Sequence, residues 1–127
     1  MMDNFQTQRR LQEGPGWRLG FDPQRQIYQG LVGGATWAIE LTEPEFQDFC
    51  RLVQQLDETL RAIAEELMEE EKITCAVESE WVWLEAEGYS DRFSLRLILN
   101  QGRGCEGHWS EEETPALIAA VSHFAVF

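Results

Sequence analysis

Residues 41–67 read LTEPEFQDFCRLVQQLDETLRAIAEEL, and the reading of this stretch decides the fold. Thr42 stands at an N-cap position, and Pro44 falls in the first turn, where its missing N–H costs nothing. Glu45, three residues after Thr42, completes a capping box. Phe46, Phe49, Cys50, Val53, Leu56, Leu60, Ile63, Ala64 and Leu67 then recur at helical spacing. They draw one apolar stripe over about seven turns. The stretch predicts a long amphipathic helix that ends near Glu70 or Glu71.

The text changes period on either side. WRLGF places Trp17, Leu19 and Phe21 on one face of a strand, with Arg18 and Gly20 on the other. DPQRQ is a turn, IYQGLVGG a second strand and ATWAIEL a third. After the helix, KITCAVES, EWVWLEAEG and RFSLRLILN read as strands and CEGHW as a fourth. A second helix opens at SEEE, where Ser110 and Glu113 repeat the capping box, and runs on through TPALIAAVSHF. Strands then helix thus occurs twice. The expected fold class is α+β: a strongly curled antiparallel sheet wrapping the long helix, built as two strands-plus-helix units. Residues 1–14 read as a polar N-terminal arm and residues 15–127 as a single domain.

Composition narrows the function classes. The chain has 127 residues, of which 43% are apolar, enough for one core without disulfides or metal. Three cysteines, Cys50, Cys75 and Cys105, contain no CxxC pair and fit buried thiols in a reducing compartment. No stretch approaches the roughly 18 apolar residues of a membrane span, and MMDNFQTQRR lacks the apolar run of a secretion signal. The expectation is a cytoplasmic protein with no membrane partner. Twenty-three acids against ten bases leave a net charge of −13. That charge repels nucleic acid at long range, so only a local basic patch would bind it.

Candidate sites follow from the same text. GRGCEG satisfies GxGxxG literally, but the next helix starts later, at Ser110, with Glu111, Glu112 and Glu113 in its first turn, which repels a phosphate. Cys105 and His108 share a CxxH spacing with no second ligand pair, so no metal and no cofactor are expected. No nucleophile motif such as GxSxG occurs, and no catalytic residue or enzyme activity is expected. Glu65, Glu66, Glu69, Glu70 and Glu71 crowd the helix C-terminus, where its dipole favours cations, and form a candidate acidic docking surface. Arg18, Arg92, Arg96 and Arg103 form a candidate anion or nucleic-acid patch. Trp81 and Trp83 in ESEWVWLEAEG pose a choice between base stacking and core. Their glutamate neighbours favour core, and a register that aligns odd residues of this strand with Phe93, Leu95, Leu97 and Leu99 puts both indoles against the helix.

The phrases GPGWRLGFDP, GLVGGATWAIELTEPEFQDF, EEEKIT, WLEAEGYS and LRLILNQGRGCEGHW resemble a family of small, acidic, uncharacterised cyanobacterial proteins. The resemblance implies a fold like that of the Whirly and transcriptional-coactivator single-stranded-DNA-binding regulators, also likened to cystatin. In those proteins basic and aromatic sheet surfaces hold the strand, and the chains assemble into dimers or tetramers. Here a single lysine, Lys72, and nine arginines face 23 acids. The expectation is therefore a non-enzymatic interaction protein whose partner is another protein, met through the acidic helix, the sheet face or both. The alternative is single-stranded nucleic-acid binding, or transcription regulation, through the arginine patch. No oligomeric state is implied by the residues.

Overall fold

The computed structural model of the chain describes residues 9–66 and 71–124. The first unit comprises β1 (Arg10–Gly14), β2 (Trp17–Phe21), β3 (Gly30–Gly34), β4 (Ala38–Leu41) and α1 (Glu43–Ala64). The second comprises β5 (Ile73–Glu78), β6 (Val82–Tyr89), β7 (Arg92–Leu99), β8 (Glu106–Trp109) and α2 (Thr114–Phe124). Each set of strands makes its own antiparallel four-stranded sheet in sequence order, sheet A from β1–β4 and sheet B from β5–β8. The α+β class and the two strands-plus-helix units are those expected. The strands divide into two sheets instead of continuing as one strongly curled sheet, because side chains, not a backbone ladder, make the junction between them.

Helix α1 starts as the sequence demands, whereas α2 begins only at Thr114, so that Glu111, Glu112 and Glu113 form a turn ahead of it and not its first turn. Thr42 Oγ1 accepts from the Glu45 N–H at 3.4 Å, and Glu45 Oε1 accepts from the Thr42 N–H at 2.9 Å. Ser110 and Glu113 make the same reciprocal pair at 3.3 and 2.9 Å. α1 stops earlier than expected: it ends at Ala64, and a tight bond from the Glu66 N–H to the Ile63 carbonyl closes it. Leu67 lies outside the described residues.

One core joins the units. Leu19, Val32 and Leu41 of sheet A meet Phe46, Phe49, Leu52, Val53, Leu56 and Leu60 of α1. Leu84, Leu95, Leu97 and Trp109 of sheet B close it with Leu117, Val121 and Phe124 of α2. The helices also cross over: α1 packs on β5 and β6, and α2 packs on β2. Fully burying one such leucine contributes roughly 1.5–3 kcal/mol. Between the sheets, the Trp37 and Trp109 rings lie 5.0 Å apart, and Trp109 Nε1 donates to the Gly33 carbonyl at 2.9 Å. A Cβ at Gly107 would sit 2.2 Å from the Trp37 ring, so the indole reaches sheet B only because residue 107 has no side chain.

Two further expectations are corrected. The polar arm assigned to residues 1–14 becomes strand from Arg10 onward. β1 is a sheet edge with no apolar alternation, held by backbone pairing to β2 and by Arg10, which lies 4.2 Å over the Phe124 ring and donates to the His123 carbonyl at 2.6 Å. Trp83 is not core. Ser79 and Val82 close a hairpin with only Glu80 and Trp81 between them. Directly opposite residues share a face, so a two-residue loop sets odd numbers of β5 against even numbers of β6. Ile73, Cys75 and Val77 therefore face inward with Ala86 and Leu84, while Trp83 faces outward. Trp81, in the turn, does pack against the core.

Candidate docking face on sheet B

The parity that turns Trp83 outward also decides what the outer face of sheet B carries. Trp83 stands opposite Ile98, Glu85 opposite Arg96, and Glu87 opposite Ser94. On β5, Glu78 neighbours Trp83, and on β8, His108 neighbours Arg96 and Glu106 neighbours Ile98. Among the described residues no helix covers this side, since α1 lies against the inner residues of β5 and β6.

The face is concave. A cleft of about 540 Å³ opens over β6–β8, lined by Glu85, Glu87, Ser94, Arg96, Glu106 and His108, with the Trp37 indole of sheet A as one wall. Three carboxylates thus line one open depression with one guanidinium. Arg96 Nη2 donates to Glu106 Oε1 at 2.9 Å. That hydrogen bond, reinforced by the charges of Glu106 and Glu85, raises the Arg96 pKa further. The arrangement attracts cations and presents one indole and one imidazole beside them.

The four arginines of the expected anion patch do not converge. Arg18 lies on the outer side of sheet A, where its Nη2 donates to the Trp37 carbonyl at 3.3 Å. Arg92 and Arg96 share the outer face of β7, about 13 Å apart at the usual rise per strand residue. Arg92 is bridged to Glu111 at 3.0 Å. Arg103, in the β7–β8 loop, is a clamp between the two units. Its Nε donates to Glu45 Oε2 at 3.0 Å, its Nη1 to the Tyr28 hydroxyl at 3.2 Å, and its Nη2 to the Glu40 carbonyl. Its guanidinium also lies 4.9 Å from the Tyr28 ring centroid. Glu45 is only 2% exposed, so Arg103 neutralises a buried carboxylate that also caps α1.

Of the acidic docking surface, Glu65, Glu66 and Glu71 are exposed, and Glu69 and Glu70 lie outside the described residues. The acids that the fold gathers into one concavity, Glu85, Glu87 and Glu106, are others. Glu85 and Glu87 are visible in the sequence as neighbours of Trp83. Their meeting with Glu106 and Trp37 depends on β7–β8 pairing and on the contact between the sheets.

Comparison with known proteins places this geometry. The family model described as a domain of unknown function, DUF1818, matches residues 12–124. A crystal structure of a protein with unknown function from the DUF155 family of Prochlorococcus sp. NATL2A, a cyanobacterium, is similar in fold, with a TM-score of 0.85. It shares 34% sequence identity, and the match covers 91% of this chain and 98% of that one. No curated protein matches. No helix among the described residues is long and apolar enough to cross a membrane.

Proposed function

The chain belongs to the DUF1818 family, and for this member we propose a non-enzymatic, cytoplasmic interaction protein that docks a basic segment of another protein on the outer face of sheet B. One observation carries the reading: Glu85, Glu87 and Glu106 share an uncovered concave face whose arginine is already paired with a carboxylate. Opposite potentials draw a partner in and set its orientation more than they add affinity, so the complex forms fast and weakens with salt. Glu65 and Glu66 just after α1, and Glu71 just before β5, are exposed and add to the same negative potential.

The test is affinity capture from extract of the native host, with wild-type protein and with the Glu85→Lys/Glu87→Lys variant, each with and without nuclease. A protein partner that survives nuclease and is lost by the variant supports docking on sheet B. A partner that the variant retains places docking elsewhere.

A second reading keeps single-stranded nucleic acid as ligand. The repeat of four strands and a helix supports the likeness to Whirly-type regulators, and Trp83 with Arg96 on the outer face supplies one indole and one cation. Base-stacking grooves interleave several cations with their aromatics, whereas Trp83 has Glu78 and Glu85 beside it. This reading predicts oligonucleotide affinity that falls steeply with salt and is lost in Trp83→Ala. Fluorescence anisotropy at low salt with no binding disposes of it.

A further inference from the structure

We infer that β5 is an interface to a second copy of this chain, pairing antiparallel with its own equivalent across a two-fold axis at Cys75. β5 is one of the two outer strands of sheet B, and among the described residues no strand pairs with its far side. Open edges invite pairing, and proteins blunt them with proline, bulges or central lysines. Residues 73–78, ITCAVE, hold no proline, no glycine and no charge before Glu78.

The hydrogen-bond phase of that edge follows from the hairpin. The Ser79 N–H donates to the Val82 carbonyl at 2.8 Å, which makes this pair a hydrogen-bonded one. Counting back by two, Val77, Cys75 and Ile73 direct their N–H and C=O groups toward β6. Thr74, Ala76 and Glu78 direct theirs to the open side. A second β5 therefore has to match even residues with even residues.

Centring the two-fold on Cys75 meets that condition and pairs chemistry with its complement. Thr74 stands opposite Ala76 in hydrogen-bonded pairs, and Ile73 opposite Val77 and Cys75 opposite Cys75 in the closer pairs between them. Just beyond, Lys72 of each copy stands opposite Glu78 of the other. Sliding the register by two residues sets Glu78 opposite Thr74 and moves the partner of Lys72 to Glu80, which lies in the turn beyond the end of β5. Within one chain these two charges have only loose partners: Lys72 Nζ lies 3.8 Å from Glu87, and Asn100 Nδ2 donates to Glu78 at 3.3 Å. Burial points the same way. Ile73, Cys75 and Val77 pack on the core yet stay half-buried, because among the described residues no strand covers the side away from β6. Their counterparts in the second copy cover that side.

The product is an isologous dimer with one continuous eight-stranded sheet. It brings two acidic outer faces side by side, so a partner with two basic segments gains avidity. The inference does not depend on what the outer face binds.

Sedimentation velocity of the full chain, from low-micromolar to sub-millimolar concentration at about 0.15 M salt, where the Debye length is about 8 Å, tests it. The wild type is expected to shift from monomer to dimer as concentration rises. Ala76→Pro removes an N–H that points to the open side, where a single chain tolerates proline, and it is expected to stay monomeric. Lys72→Glu and Glu78→Lys each weaken the dimer, and the double exchange restores it, which a misfolded variant would not do. Mild oxidation of a Cys105→Ser background is expected to link the copies through Cys75, since Cα atoms of a non-hydrogen-bonded pair lie about 4.5 Å apart, within disulfide reach. A monomer at every concentration overturns the inference. So does a dimer that survives Ala76→Pro and yields no Cys75 cross-link.

Discussion

The outer faces of the two sheets share a strand count and a strand order, and they differ in the charge they carry. Sheet A shows Leu11, Gly20, Leu31 and Gly33, with Glu13 beside Arg18 and Glu40 bridged to Arg25 at 2.9 Å. Its charges cancel. Sheet B shows Glu78, Glu85, Glu87 and Glu106, and although Arg96 pairs with Glu106, Arg92 with Glu111 and Lys72 lies near Glu87, it keeps a surplus of negative charge over a cleft. Since sheet A folds without such a surplus, the acids of sheet B are not what the architecture needs to stand. Mutual repulsion of carboxylates on neighbouring strands lowers stability slightly, a cost that the proposed docking of a cationic partner would offset.

The largest test asks whether the two sheets can be separated at all. Trp109→Ala deletes the indole shared by both sheets and its bond to the Gly33 carbonyl, at an expected ~3–5 kcal/mol. Chemical denaturation followed by far-UV and near-UV circular dichroism should show one transition at lower denaturant. Two transitions would mean that the units fold independently.

The next compares the two helix starts. Glu45 caps α1 and is buried under Arg103, whereas Glu113 caps α2 against the Gly16 backbone with no guanidinium beside it. Arg103→Met strands the buried carboxylate and is expected to destabilise the protein by about 2–4 kcal/mol. Adding Glu45→Gln should return part of that loss in the same urea titration, because a neutral amide is easier to bury. Glu113→Gln should move the midpoint far less.

Charge reversal bears on the faces directly. Glu85→Lys/Glu87→Lys is expected to weaken binding of a basic peptide at least tenfold, about 1.4 kcal/mol. Glu13→Lys/Glu40→Lys on sheet A should leave it nearly unchanged. Isothermal titration at two salt concentrations distinguishes these outcomes.

The smallest effect at neutral pH belongs to the core that both sheets share. Burial raises the Cys50 thiol from an ordinary 9.0 to about 12. The native state therefore keeps a proton that the unfolded chain releases. The resulting stabilisation is complete below pH 9 and is lost as pH rises toward about 12. Urea midpoints across that window should fall more steeply for the wild type than for Cys50→Ala.

Much of the fold was legible because local signals agreed. The capping box at Thr42–Glu45, with the stripe from Phe46 to Leu60, marks the start and the core face of α1, and the Ser110–Glu113 pair marks the turn that leads into α2. What stayed hidden was hidden for physical reasons. β1 has no apolar alternation, because Arg10, Gln12 and Gly14 occupy the positions opposite Phe21, Leu19 and Trp17. The phase of Trp83 turns on whether a hairpin loop holds two residues or three, and one residue inverts the face. Arg103 looked like a ligand cation because its partner, Glu45, lies 58 positions away. The cleft itself needs Trp37 from one unit and Glu106 from the other, which no local pattern brings together.

The central claim is that the outer face of sheet B receives cations and not nucleic acid. Its most direct test is amide NMR of the ¹⁵N-labelled chain titrated with a synthetic lysine–valine alternating peptide and, separately, with a deoxythymidine oligonucleotide of equal length. The account predicts peptide-induced shifts at Trp83, Glu85, Arg96, Glu106 and His108, with none at Leu11, Arg18 or Leu31, and no response to the oligonucleotide. Oligonucleotide shifts on that same face, or peptide shifts confined to sheet A, would contradict it.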